Sequence, residues 1–266
     1  MRRLRVAVVQ TDAGRDIGRN LEKMEDMASA VRGADIIALP EVFAVRGSHE
    51  DYRGAAQPVD GPISARVADL ARRKRAWVIA GSIIEKAGSK TYNTCVLFNR
   101  DGGVEAFYRK IHLFEARLED GRRIRESDDY SPGKKPVLAD VEGWRIGLAI
   151  CYDLRFPELF RHYSERGAHL VFVPSNFTQR TGRDHWDVLV KARAIENQCF
   201  VVAPNQCGVN RATGVKSHGH SIAVGPWGEV LCEAGDRERV LVTVLDPSLL
   251  SAARSRVPAL KHRVMR

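Results

Sequence analysis

Three side chains in this 266-residue sequence have the types needed for a nucleophilic hydrolase: Cys151, Glu41 and Lys110. A thiol is a good nucleophile once deprotonated, so it needs a base or a field that favours the thiolate. A carboxylate partly withdrawn from water has a raised pKa and suits the base. A fixed ammonium can hold the oxyanion that forms when a carbonyl is attacked. Cys151 follows the apolar run 144–150 and precedes a helical pattern over 156–166, so it falls in a strand-to-helix turn. Nucleophiles collect at such strand ends, where free backbone N–H groups, here that of Tyr152, lie beside the sulfur. Glu41 follows Ile36-Ile-Ala-Leu-Pro40 in the same manner, and Lys110 lies in the alternating segment 107–114. Taken singly, each also fits a blander reading: a small buried thiol, a solvated loop carboxylate, a surface lysine beside Arg109.

Strands and helices must bring these three positions together. Runs rich in β-branched residues give strand candidates at 5–10, 36–39, 77–82, 94–99, 145–150, 170–173, 200–203, 221–224 and 240–245. Amphipathic spacing gives helices at 19–32, 63–75, 157–166 and 184–198. The third has Pro157 in its first turn, Leu159, Phe160 and Tyr163 on one face, and Gly167 as a stop. Asn99-Arg-Asp-Gly-Gly103 and Pro226-Trp-Gly228 read as hairpin turns. Residues 115–135 are polar and read as one long loop, a length often tied to function. The pattern predicts a layered α/β fold with mixed sheets, a single domain over 1–266.

The three chemical positions sit within longer blocks: Pro40-Glu41, Tyr108-Arg-Lys110-Ile-His-Leu-Phe114 and Cys151-Tyr-Asp-Leu-Arg-Phe-Pro-Glu158. Pro174-Ser-Asn-Phe177, His185-Trp186, Ala192-Arg-Ala-Ile-Glu-Asn197 and Gly219-His-Ser221 follow in order. Across essentially its whole length the chain resembles the nitrilase, or carbon–nitrogen hydrolase, superfamily, and within it the Nit branch. That branch holds ω-amidases acting on 2-oxo-dicarboxylate monoamides and amidases acting on deaminated glutathione. The resemblance implies a four-layer αββα sandwich that pairs into homodimers or larger homo-oligomers. It implies a Glu41–Lys110–Cys151 triad, with Glu126 in the loop after the lysine as a second acid. Pocket positions fall on Arg155, Phe177 and Thr181, beside Tyr152 from the turn. Arg155 is suited to clamp a substrate carboxylate, or else to pair with Glu158 or Asp153. The sequence departs from the pattern at Asn176 and Gln179-Arg180, where smaller or neutral residues are commoner.

The expected reaction is ammonia release from a small carboxylate-bearing amide through a thioester, with deaminated glutathione or a 2-oxo-dicarboxylate monoamide as candidates. Lys110→Ala should cut turnover roughly a hundredfold with little change in folding. Hydrolysis of an N-carbamoyl amine or a nitrile is the alternative within the superfamily, and a non-catalytic binding protein the alternative outside it. A cysteine–histidine hydrolase using His112, His185 or His220 is the mechanistic rival. No GxSxG, GxGxxG or P-loop motif occurs, so a serine hydrolase and nucleotide cofactors have no sequence support. Cys199, Cys207, His218 and His220 match no common zinc spacing, so no metal or cofactor is expected. The remaining cysteines read as core or near-core thiols.

Lys and Arg outnumber Asp and Glu 42 to 33, but the cations are spread along the chain without interleaved aromatics. Solvated basic faces are therefore expected in place of a nucleic-acid footprint. Five cysteines without a CxxC pair argue for a reducing compartment. The apolar run after Met1 stops at Gln10, too short for a signal peptide, so a cytoplasmic protein with no membrane association is expected.

Overall fold

The computed structural model describes residues 1–117, 121 and 123–265. Two sheets stack face to face, each with three parallel strands at its centre. In the first sheet the strands run in the order Arg239–Leu245, Leu4–Gln10, Ile36–Ala38, Trp77–Ile79, Lys90–Phe98 and Ile83–Ala87, with Val104–Arg109 also on Lys90–Phe98. The second runs Val230–Glu233, Ile222–Val224, Phe200–Ala203, Leu170–Phe172, Trp144–Leu148 and Val137–Val141. Leu4–Gln10, Ile36–Ala38 and Trp77–Ile79 are mutually parallel, as are Trp144–Leu148, Leu170–Phe172 and Phe200–Ala203.

Side-chain alternation sets the layers. Along Leu4–Gln10, Val6 and Val8 pack into the core between the sheets, while Ala7 and Val9 pack into a second core against the helices Ile17–Ser29 and Pro62–Lys74. A strand covered on both faces has no polar side, which is why this segment reads as an unbroken apolar run. The inter-sheet core continues through the second sheet to Leu159, Phe160, Tyr163, Trp186 and Val190 on the helices Pro157–Glu165 and Gln179–Asn197. The result is helix, sheet, sheet, helix, the sandwich that the resemblance implies. Gly147 allows the closest approach: a Cβ there would lie 2.8 Å from the Tyr163 ring, so Pro157–Glu165 rests directly on the strand before Cys151.

The two expected hairpins form: Lys90–Phe98 pairs antiparallel with Val104–Arg109, and Ile222–Val224 with Val230–Glu233. Residues 115–135 are not one loop. Glu115–Arg117 and Arg123–Arg125 pair antiparallel as a small separate sheet, and a 3-10 turn follows at Glu126–Asp128; residues 118–120 and 122 lie outside the described set. With three residues per strand, and Ala116 and Ile124 the one apolar side chain in each, the pair is too short for its alternation to set it apart from a loop. The last long helix begins at Gln179, five residues earlier than the amphipathic spacing indicates, because its first turn, Gln179-Arg-Thr-Gly182, carries no apolar side chain to mark it. Two further helices, His49–Gly54 and Pro247–Arg256, have too little apolar periodicity to be read from sequence. Among the described residues no helix is long and apolar enough to cross a membrane.

Candidate active site

Cys151 opens a 3-10 turn, Cys151–Arg155, directly after the second-sheet strand Trp144–Leu148. Its φ is +45°, the left-handed region, which costs a residue with a Cβ about 1–2 kcal/mol. Strain of this kind persists where the surroundings fix it, and here they do. The Cys151 N–H donates to Pro174 O at 2.9 Å, and the Asp153 N–H to Ile150 O at 3.0 Å. Between them the Tyr152 N–H has no acceptor among the described residues.

Asp153, fully buried, clamps this turn to the segment bearing the lysine. Its carboxylate accepts from Ile150 N at 2.8 Å, Tyr108 Oη at 2.8 Å and His112 N at 3.0 Å, with His112 Nδ1 at 2.7 Å. The His112 ring also stacks on Phe156, centroids 3.7 Å apart. Tyr108 and His112 flank Lys110, so one carboxylate on the second sheet holds the lysine of the first sheet in place. His112 is thereby a structural partner of Asp153, and the alternative pairing of Asp153 with Arg155 does not form.

Glu41, Lys110 and Glu126 form a buried cluster. Lys110 Nζ donates to Glu41 Oε1 at 2.9 Å and Glu126 Oε1 at 2.8 Å. Glu41 Oε1 also accepts from Asn93 Nδ2 at 2.8 Å, and Oε2 from the Asn176 N–H at 2.7 Å. Glu126 Oε2 accepts from the Phe114 N–H at 2.8 Å. Burial alone would pull the Lys110 ammonium down, but Glu126 and Glu41 outweigh it and hold the group charged, well above its ordinary range. Two carboxylates share that one cation. Burial and the Glu41 charge accordingly raise the Glu126 carboxyl despite Lys110. Burial pushes the Cys151 thiol well up as well; Glu41 adds to this, and Lys110 and the Asn176 N–H only partly offset it. At rest the sulfur is therefore held as a thiol.

Glu41, Cys151 and Glu126 face a pocket of about 270 Å³, which Tyr152, Arg155, Asn176, Phe177 and Thr181 also line. The sequence matches the carbon–nitrogen hydrolase family model over residues 5–255. The chain belongs to the carbon–nitrogen hydrolase family. It is 37% identical over 265 residues to the deaminated glutathione amidase of Synechocystis sp., covering 97% of each chain. It is 36% identical over 262 residues to the chloroplastic omega-amidase of Arabidopsis thaliana, covering 96% of this chain and 70% of that one. Among solved structures it superposes on Nit3 of Saccharomyces cerevisiae, a member of branch 10 of the nitrilase superfamily, with a TM-score of 0.87 at 31% identity, covering 99% and 97% of the two chains.

In this carbon–nitrogen hydrolase the residues marked by sequence gather in one place. Lys110 is buried between the two carboxylates, close enough to Cys151 for its charge to act on the thiol. Arg155 lines the pocket and pairs with no carboxylate among the described residues. Its guanidinium lies 5.3 Å from the Phe177 ring centroid and 5.9 Å from that of Tyr152, with His185 Nδ1 at 3.2 Å. Phe177 is buried against Trp186, and the Thr181 hydroxyl lies 2.8 Å from that of Thr178. Arg180 is engaged by another residue of the chain.

Sequence reasoning missed Tyr52, Asn93, Phe114 and Tyr130, which also line the pocket. Asn93 Oδ1 and Tyr130 Oη are buried and have no hydrogen-bond partner among the described residues. Asn93 lies in the polar half of the strand Lys90–Phe98, among Lys90, Thr91 and Thr94, so its amide did not stand out. Tyr130 lay within the supposed loop and gave no signal.

Proposed function

We propose that this hydrolase is a cysteine-dependent amidase whose substrate is a small, carboxylate-bearing amide. The observation that carries the reading is a buried Glu41–Lys110–Glu126 cluster abutting a protonated Cys151, on a pocket that also holds Arg155 with no carboxylate partner among the described residues. Glu41 takes the thiol proton as the sulfur attacks the amide carbon. The new oxyanion is held by the Tyr152 N–H and by Lys110, which keeps one of its three N–H donors after binding both carboxylates. Glu41 then passes its proton to the departing nitrogen as the carbon–nitrogen bond breaks, leaving a thioester. A water that gives its proton to Glu41 cleaves the thioester, returning the thiol and releasing the acid. Arg155 receives the substrate carboxylate as a planar donor pair.

The relatives named above favour deaminated glutathione and 2-oxo-dicarboxylate monoamides. Ammonia is the leaving group only from a primary amide; the amides of deaminated glutathione are secondary and would free an amine. The test therefore measures both ammonia and the carboxylic acid formed. The panel holds deaminated glutathione, 2-oxoglutaramate, 2-oxosuccinamate, a simple aliphatic amide, a nitrile and an N-carbamoyl amine, run with wild type, Cys151→Ala and Glu41→Gln. Turnover of the carboxylate-bearing amides, abolished in the first variant and reduced about a thousandfold in the second, is expected. Turnover of only the nitrile or the N-carbamoyl amine would move the activity within the family, and Glu41→Gln with wild-type rates would remove the carboxylate as base.

A further inference from the structure

The pocket wall beside the nucleophile carries an amide group that the reaction above leaves unused. Asn176 follows the strand Leu170–Phe172, and its backbone N–H reaches Glu41 Oε2 at 2.7 Å and also favours the Cys151 thiolate. Its side chain therefore starts where base and nucleophile meet. The orientation of that side chain is fixed from behind. Arg46, with a fully buried side chain, donates to Ala13 O at 3.1 Å, Cys207 O at 2.7 Å and Ser217 Oγ at 2.7 Å, and pairs with Asp12. A guanidinium can only donate, so Ser217 Oγ accepts from Arg46 and sends its own proton to Asn176 Oδ1 at 2.6 Å. Turning the amide over would aim two donors at Ser217 and leave its hydroxyl proton without an acceptor among the described residues. Asn176 Nδ2 is thus the end left for the pocket: the half-buried side chain lines it, and Nδ2 has no partner among the described residues.

We propose that Asn176 Nδ2 is a substrate-recognition donor that reads an oxygen acceptor on the acyl part of the substrate, next to the scissile carbonyl. Arg46 and Ser217 are positioning residues that hold the amide in its donor orientation. The assignment rests on the amidase reading and sharpens it, because the contact has a sign. A hydroxyl or ketone oxygen at that place gains a hydrogen bond. The ureido N–H of an N-carbamoyl amine meets a donor with a donor, and a buried polar group left unmatched is costly. Among carboxylate-bearing amides, one oxygenated on the carbon beside the reacting carbonyl gains this contact, whereas 2-oxoglutaramate and deaminated glutathione, whose ketone lies at the far end of the acyl chain, do not make it at that place.

The test compares succinamate with its counterpart hydroxylated on the carbon next to the amide, in wild type, Asn176→Ala, Asn176→Asp and Ser217→Ala. One neutral hydrogen bond corresponds to a preference of about tenfold in kcat/KM for the hydroxylated substrate in wild type. Asn176→Ala should bring the ratio near one. Asn176→Asp, which keeps the shape and the Ser217 contact but presents an oxygen, should bring it to one or below. Ser217→Ala should give an intermediate ratio. A variant that lowers both substrates alike and keeps the wild-type ratio, or a wild-type ratio near one, overturns the assignment. Calorimetric binding of the same two amides to Cys151→Ala protein tests the recognition without turnover. Absence of any amide cleavage by wild type together with a tenfold binding preference would refute the amidase reading and retain this one.

Discussion

Replacing Lys110 by alanine separates a buried charge cluster from a merely catalytic lysine. The side chain is 1% exposed, and its partners Glu41 and Glu126 are 3% and 18% exposed, with contacts of 2.9 and 2.8 Å. Removing one partner of such a buried ion pair leaves uncompensated charge and costs about 3–5 kcal/mol. For a chain of this size each kcal/mol lowers the unfolding midpoint by about 2–4 °C, so a fall of roughly 10 °C is expected. Turnover should also drop at least about a hundredfold through loss of a charged oxyanion donor. Little change in folding, the expectation from sequence, does not survive the observed burial. The deficit should depend on pH with a defined sign. The Glu126 carboxyl is raised above its ordinary value, so its contribution to stability is full below about pH 4.5 and is lost as pH rises through the raised folded value. Without the ammonium this carboxyl takes its proton at higher pH still, so the gap between variant and wild type should be widest near pH 8 and narrow toward pH 5. Thermal unfolding followed from pH 5 to 8, with turnover measured in parallel, checks both parts. A variant unfolding within a degree or two of wild type at pH 8 would refute the charge-cluster reasoning, and one retaining most of its turnover would remove the lysine from the mechanism.

Three further outcomes follow from the same geometry. Alkylation of Cys151 by iodoacetamide, read on the labelled peptide by mass spectrometry, should keep rising beyond pH 9, because burial and Glu41 hold the thiol up; a plateau below pH 8 would contradict a protonated resting nucleophile. Arg155→Ala should raise KM for carboxylate-bearing amides by about ten- to a hundredfold, the worth of a hydrogen bond to a charged group, and erase their advantage over uncharged isosteres; steady-state kinetics on matched pairs would show an unchanged advantage if Arg155 is only structural. Cys151→Gly should be more stable than Cys151→Ala by about 1 kcal/mol, since glycine accepts a φ of +45° without a Cβ clash; equal denaturation midpoints would mean that the turn relaxes.

The chemistry was legible where a strand announces its own end. Cys151 and Glu41 each follow an apolar run that has to be a strand, so their placement at strand carboxyl ends follows from the residue pattern alone. The order of the blocks added Glu126, Arg155, Phe177 and Thr181, all of which the structure gathers on the pocket. What escaped lies where side chains act through partners distant in sequence. Asp153 read as a carboxylate within reach of Arg155, whereas its acceptors are filled by Tyr108, His112 and Ile150. Lys110 read as an ammonium facing the site, but the two carboxylates that bury it lie 69 and 16 residues away in sequence, beyond the reach of any local pattern. The short strands at Glu115–Arg117 and Arg123–Arg125 carry no periodic apolar face, so their pairing leaves no trace in composition.

Glu41 and Lys110 are carried by the first sheet, Cys151 and Asn176 by the second, and the Asp153 carboxylate is the rivet between them. Neither sheet carries the whole of the proposed centre by itself. The distance from Glu41 to Cys151 is a distance between two independently hydrogen-bonded slabs, set by the volumes of Val6, Val8, Ile36, Ile146 and Leu148 packed between them. Catalytic geometry tolerates errors of only about half an ångström. Residues far from any substrate thus act as spacers for the reaction, and a methyl group added or removed between the slabs is felt at the sulfur.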